Sequence, residues 1–221
     1  MIKQTFWAAK AFAFSTILSS QLALADNQRY ITGFVGVTEA ADYDFDFFQT
    51  IPELVVGQGV IKTDTGTSFG VAIGTRFSSN WRAEFELSDS SNDTESIGEP
   101  NTDLVGSWDA TFGMVNLWYD FATNWKIKPY AGGGVGVARV SLSGGNGAGT
   151  ELVDDTDTVL AGQVGFGGRI SIGERSAIDI GYRYKMTDDV NMSTTQVIIP
   201  TDFSNGDYAA HSIVIGYSYS F

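Results

Sequence analysis

Residues 211–221 read HSIVIGYSYSF. Ile213, Ile215, Tyr217, Tyr219 and Phe221 alternate with Ser212, Val214, Gly216, Ser218 and Ser220. An apolar period of two is that of a β-strand with one apolar face. The stretch finishes on a large ring, Phe221. Chain ends are ordinarily polar and frayed, so an aromatic there points to an apolar medium beside the last strand. Which way the Ile-Tyr-Phe face looks decides the fold.

The same alternation recurs in eight segments, roughly 28–38, 66–77, 81–88, 107–121, 126–140, 158–172, 176–186 and 208–221. In TSFGVAIGTRF, Phe69, Val71, Ile73 and Phe77 oppose Gly70, Ala72, Gly74 and Arg76. In WRAEFEL, Trp81, Ala83, Phe85 and Leu87 oppose Arg82, Glu84 and Glu86. In MVNLWYDF, Val115, Leu117, Tyr119 and Phe121 oppose Met114, Asn116, Trp118 and Asp120. In IDIGYRYKM, Ile178, Ile180, Tyr182 and Tyr184 oppose Asp179, Gly181, Arg183 and Lys185. The first segment, RYITGFVGV, is ambiguous, because both faces mix apolar and small residues. Short links SSN, ATNW and GERS alternate with long polar stretches, about 39–65, 89–106, 141–157 and 187–207. The expected fold is all-β: an eight-stranded antiparallel up-and-down barrel with three short turns at one end and four long loops at the other.

Composition agrees. Of 221 residues, 43% are hydrophobic, only 18% are charged, 13% are aromatic and 26 are Gly, a profile that suits pleated sheet better than helix. There is no cysteine, which excludes disulfides, thiolate metal sites and a cysteine nucleophile. The net charge of −13 argues against nucleic acid, which needs a basic footprint. Residues 1–25 differ in kind: Lys3 and Lys10, no acid, an apolar and small-residue run, then Ala23-Leu24-Ala25. That pattern predicts a cleaved secretory signal peptide over 1–25 and a single barrel domain over 26–221. Cleavage leaves eleven basic residues against 26 acids, a net charge of −15. The apolar run is shorter than the roughly 20 residues of a spanning helix.

In a soluble barrel the charged face is wet; in a membrane barrel the order inverts. Large aromatics collect on the apolar faces near the short-turn end: Phe77, Trp81, Tyr119, Phe121, Tyr217, Tyr219 and Phe221. They read as an aromatic girdle at one bilayer interface. The opposite faces carry Gly, Ala and charges of both signs, and Gly132, Gly134 and Gly136 fall on one of them. This suits a narrow eight-stranded lumen. The expected interior polar network is Arg76, Arg82, Glu84, Glu86, Asn116, Asp120, Lys128, Gln163, Arg169, Asp179 and Arg183. It reads either as a gated pore or proton path, or as a polar core that fills the barrel; eight strands leave no open channel by geometry. A soluble lipocalin-like barrel would instead put Phe85, Tyr119 and Tyr217 inside.

The stretches MVNLWYDF, KPYAGGGVGVA, IDIGYRYK and HSIVIGYSYSF, in this order and spacing, resemble the opacity-protein-like, or OmpA-type, eight-stranded outer-membrane β-barrel family. The resemblance covers about 26–221. It implies the Gram-negative outer membrane after Sec-type export, outer-membrane lipid as surroundings, and a terminal aromatic that the barrel-assembly machinery reads in the last strand. The family includes adhesins, serum-resistance factors and structural anchors, so its fold is specific and its role is not. The likeness stops at the eighth strand, so the peptidoglycan-binding domain of full-length OmpA-like proteins is not expected.

The four long stretches hold 19 of the 26 acids, and only Lys62 opposes them. Such a crown attracts a basic or divalent-cation partner and repels anionic polysaccharide. Its clusters, DYDFDFF at 42–48 and DDTD at 154–157, do not have the calcium-loop pattern. The apolar residues of the first loop, DFDFFQTIPELVV, pack over the mouth, extend the strands or meet a partner. Some eight-stranded barrels are lipid-modifying enzymes with a Ser/His pair, but the single histidine, His211, precedes Ser212, and neighbours on a strand point to opposite faces. No catalytic, cofactor or metal residues are assigned. The expected function is non-enzymatic: surface interaction of an adhesion-like kind, or envelope integrity, carried by the acidic loops. The alternatives are a small porin or channel and, behind it, a lipid-modifying enzyme. A closed barrel permits a monomer.

Overall fold

A computed structural model describes residues 28–41, 43–50, 53–97, 104–146, 151–193 and 201–221; the expected signal segment 1–25 lies outside them. The strands are β1 (Gln28–Ala40), β2 (Tyr43–Thr50), β3 (Glu53–Thr63), β4 (Gly66–Arg76), β5 (Trp81–Ile97), β6 (Leu104–Asp120), β7 (Ile127–Asn146), β8 (Glu151–Ser171), β9 (Ser176–Ser193) and β10 (Thr201–Ser220). β1 pairs with β4 from Gln28↔Arg76 to Thr38↔Gly66, and with β10 from Tyr30↔Ser220 to Ala40↔Ala210. β4 through β10, without a break in order, complete the antiparallel ring. HSIVIGYSYSF therefore closes the sheet against the first strand, and the Phe221 amide donates to the Arg29 carbonyl at 2.9 Å.

Eight staves make the wall at every described height, from ten strands. β5 and β10 are 17 and 20 residues long, whereas β1 and β4 have 13 and 11. The longer strands would end in unpaired N–H and C=O groups, which backbone does not tolerate. The β2–β3 hairpin fills that gap. β2 pairs with β10 (Phe48↔Asp202) and β3 with β5 (Lys62↔Ser96). The first long stretch thus extends the strands. Strand pairing likewise runs into the other three, through sequence such as SDSSNDTES whose Asp, Asn and Ser are poor strand formers.

Among the described residues the wall has a seam. β8 and β9 pair from Ser171↔Ala177 to Ala161↔Thr187 and no further. Beyond that point β8 stays on β7 as far as Glu151, and β9 stays on β10 as far as Ser193. The amides of Thr156 and Thr158 donate to the side chains of Asp155 and Asp157 at 2.8 and 2.7 Å. Those of Asp189 and Asn191 donate to Asp188 at 3.1 Å and, across the seam, to Asp157 at 2.9 Å. Carboxylates on open edges block pairing with a stray strand.

The faces fall as the inverted order requires. Phe85 and Tyr217, 48% and 51% exposed, point outward, while Arg82 and Glu86 are buried inside. In β1, Tyr30, Thr32 and Phe34 are inside and Ile31, Val35 and Val37 outside. The lumen is too narrow for eight ordinary side chains per layer, so large rings lie over glycines. A Cβ on Gly74 or Gly70 would come within 2.5 Å of the Tyr30 or Phe34 ring, and one on Gly132 within 2.8 Å of the Trp118 ring. The half toward the long stretches is filled differently. Trp108, Phe112 and Met114 of β6, Val140 and Leu142 of β7, and Tyr208 of β10 join a buried apolar core, with the Trp108 and Tyr208 rings stacked at 6.1 Å. The sequence reading expected small and charged residues to dominate the inside and did not single out this apolar core.

Gly132→Ala is expected to overpack the lumen and cost roughly 1–3 kcal/mol, seen as loss of the SDS-resistant, heat-modifiable band. Gly33→Ala, whose Cβ would meet nothing within 4 Å, is expected to leave that band intact.

Candidate functional site

The short-turn half of the lumen is a network centred on β5. Alternation along WRAEFEL sends Arg82, Glu84 and Glu86 inward in successive steps. The Glu86 carboxylate, 0% exposed, accepts from Arg183 at 2.5 Å, Lys185 at 2.9 Å, Ser88 at 2.9 Å, Asn116 at 2.9 Å and Gln163 at 3.2 Å. Gln163 also donates to Asn116. Glu84 accepts from the Tyr30 hydroxyl at 2.6 Å, the Trp118 indole at 2.8 Å and Arg82 at 2.9 Å. Asp120 holds Arg82 at 3.0 Å and Arg76 at 2.7 Å. Asp179 takes Arg169 bidentately at 2.7 and 3.0 Å and Ser218 at 3.0 Å. Arg183 also lies 4.3 Å over the Phe34 ring, and Lys185 4.5 Å over that of Phe112.

Of the eleven residues expected inside, nine are buried there: Arg82, Glu84, Glu86, Asn116, Asp120, Gln163, Arg169, Asp179 and Arg183. Arg76 is half-buried at the network's lower edge. Lys128 does not join it. It is exposed at the barrel mouth, because β7 begins one residue earlier, at Ile127, where the wall gives way to the turn. Lys185 was missed, although its place two residues after Arg183 marks it as inward. Tyr30 and Trp118 were missed as partners, because which carboxylate a ring reaches depends on the register between strands.

The network contains five cations (Arg76, Arg82, Arg169, Arg183 and Lys185) against four acids (Glu84, Glu86, Asp120 and Asp179). Each of these carboxylates is held by a cation. A void of about 20 Å³ remains between Arg82, Trp118, Arg169 and Arg183, room for a water and little more. Above it stands the apolar core. The arrangement is a packed plug.

On the outside, Phe77, Trp81, Phe121, Tyr217, Tyr219 and Phe221 are exposed and Tyr119 half-exposed at the short-turn end. Trp81 meets Tyr119 edge-on at 4.9 Å, and Tyr119 meets Phe121 at 5.2 Å. His211 faces outward further up. Its Nδ1 is hydrogen-bonded to the Tyr182 hydroxyl, and its ring lies 4.7 Å from that of Tyr184. The upper wall carries exposed acids: Glu39, Asp64, Asp93, Asp154, Asp188, Asp189 and Asp207. The cluster DYDFDFF lies outside the residues whose side chains are described. Among the described residues no group of three or more His, Cys, Asp or Glu has the geometry of a metal site.

A profile of the outer membrane protein β-barrel domain matches residues 11–221. The outer membrane protein PagN of Salmonella typhimurium is 28% identical over 192 residues, covering 79% of this chain and 80% of its own length. Among solved structures, OprG of Pseudomonas aeruginosa has a TM-score of 0.57 at 17% identity, covering 87% of this chain and 96% of its own. Neisserial surface protein A has a TM-score of 0.51 at 18% identity, covering 87% and 97%. At these identities the two structures speak for the fold alone.

Removing the central acid leaves two buried cations without their partner. Glu86→Ala is expected to lower stability by about 3–5 kcal/mol in urea unfolding from lipid vesicles. Lys128→Ala, at an exposed site without an ion pair among the described residues, is expected to change it by less than ~0.5 kcal/mol.

Proposed function

This chain belongs to the outer membrane protein β-barrel family and lies in the Gram-negative outer membrane, and from that premise we propose that it is a non-enzymatic surface protein whose acidic outer wall meets a partner. One observation carries the reading. Above its short-turn mouth the described lumen is filled, by ion pairs below and by the Trp108, Phe112, Met114 and Tyr208 core above, while the wall continues outward through β2 and β3 and its other strands and links bear exposed carboxylates such as Glu39, Asp93 and Asp154. What such a molecule offers to its surroundings is its exterior. The chemistry of that exterior fits a basic protein surface or divalent cations, and is repelled by anionic polysaccharide. The same reading has the protein exported by its first 25 residues, inserted through its C-terminal strand, and held in lipid as a monomer by its aromatic girdle.

Cells displaying the protein are expected to bind polylysine-coated beads more than cells without it, with the difference shrinking as salt rises. Asp154→Asn/Asp188→Asn/Asp189→Asn is expected to remove most of the difference. Equal binding by this variant at an unchanged surface level would overturn the reading.

The channel alternative makes the opposite demand on the lumen. Planar bilayers containing the purified protein are expected to stay electrically silent, and steady single-channel currents would return the function to the pore.

A further inference from the structure

At the short-turn end the barrel opens into a vestibule of about 300 Å³, roughly ten times the share of liquid volume of one water. Its walls come from the ends of β1, β4 and β6 to β10 and from the turns after β4 and β8, and carry Arg76, Lys128, Arg169 and Arg175 with Asp120 and Glu174. Asp120 is already engaged by Arg76 and Arg82, and Arg169 by Asp179. Lys128, Arg175 and Glu174 form no ion pair among the described residues. The hydroxyl residues Ser79, Ser171 and Ser220 lie between them.

Charge counting gives the site its character. The buried network has one cation more than it has acids. At the mouth Lys128 and Arg175 add two positive charges and Glu174 removes one. Among these residues two positive charges are left over, in a chain whose net charge is −13. Excess charge facing a concave, partly desolvated wall focuses field and draws counter-ions. Arginine forks and a lysine ammonium among hydroxyls suit oxygen-bearing anions.

We propose that this vestibule is a periplasmic binding site for a small, water-soluble dianion with the chemistry of a phosphate monoester. Lys128 supplies one primary contact from the start of β7 and Arg175 the other from the turn after β8, and Arg76 and Arg169 supply the positive floor. Two ligand charges match the two left over. The site lies at the opposite end of the barrel from the acidic wall, and it stands whether or not that wall meets a partner.

The test uses the full barrel refolded in an uncharged detergent, titrated calorimetrically with inorganic phosphate and pyrophosphate. Dimethyl phosphate, a monoanion that imitates a phospholipid headgroup, is the comparison. Saturable one-site binding of the first two is expected, with dimethyl phosphate at least about tenfold weaker. Lys128→Gln/Arg175→Gln is expected to weaken phosphate binding by at least about tenfold, the equivalent of roughly one charge-assisted hydrogen bond. Arg29→Gln/Lys126→Gln removes two basic residues of the same end that do not line the vestibule and is expected to leave binding within about twofold, a change smaller than that hydrogen bond would make. Heat-modifiability of each variant on a gel reports that the barrel has folded. Absence of saturable binding, an equal loss in the two double variants, or dimethyl phosphate binding as tightly as phosphate would each overturn the proposal.

Discussion

Hydrocarbon offers no water to an open strand edge, and the pairing of β1 with β10 is the contact that removes the last one. The remaining architecture follows from that closure. β10 uses its lower half on β1 and its upper end on β2, so the hairpin of the first long stretch is a consequence of strands of unequal length. Where closure is relaxed, between β8 and β9 above Ala161 and Thr187, the edges carry aspartates whose carboxylates accept from the amide of the next residue. That seam belongs to the extracellular part of the wall, where water can serve what protein does not.

Closing eight strands fixes a narrow bore, and the bore dictates what fills it. β5 and β9 are opposite staves, so the Glu86 bridge to Arg183 and Lys185 crosses the whole lumen. Rings that would not otherwise fit lie over Gly70, Gly74 and Gly132. Isolated charges could not survive there, because desolvation costs several kcal/mol per ion. Five donors on one carboxylate are the compensation. The change from ionic to apolar filling occurs within one strand, as β6 passes from Asn116 to Met114 and Phe112. A barrel plugged by two unlike materials is poorly suited to conduction and well suited to presenting a rigid outer wall.

Charge is also sorted along the barrel axis. Carboxylates crowd the outer wall, and basic residues collect around the short turns. The two ends therefore present opposite charge, acidic at the long-loop end and basic at the short turns.

The sequence alone determined the strand period, the eight membrane-level staves, the inverted faces and nine of the buried polar residues, because alternation in steps of two is a local property that each segment states for itself. HSIVIGYSYSF announced a lipid-facing strand without reference to any other part of the chain. The tertiary structure decided what depends on pairs of distant segments. Register across the ring brought Trp118 and Tyr30 to Glu84, set Lys185 beside Glu86, and left Lys128 at the mouth. It also turned polar stretches into strand, since backbone pairing with a longer neighbour outweighs the weak strand preference of Ser, Asn and Asp. Whether Trp108 and Tyr208 would stack inside the lumen was invisible in one dimension, because they lie on different strands a hundred residues apart and meet only when the barrel closes.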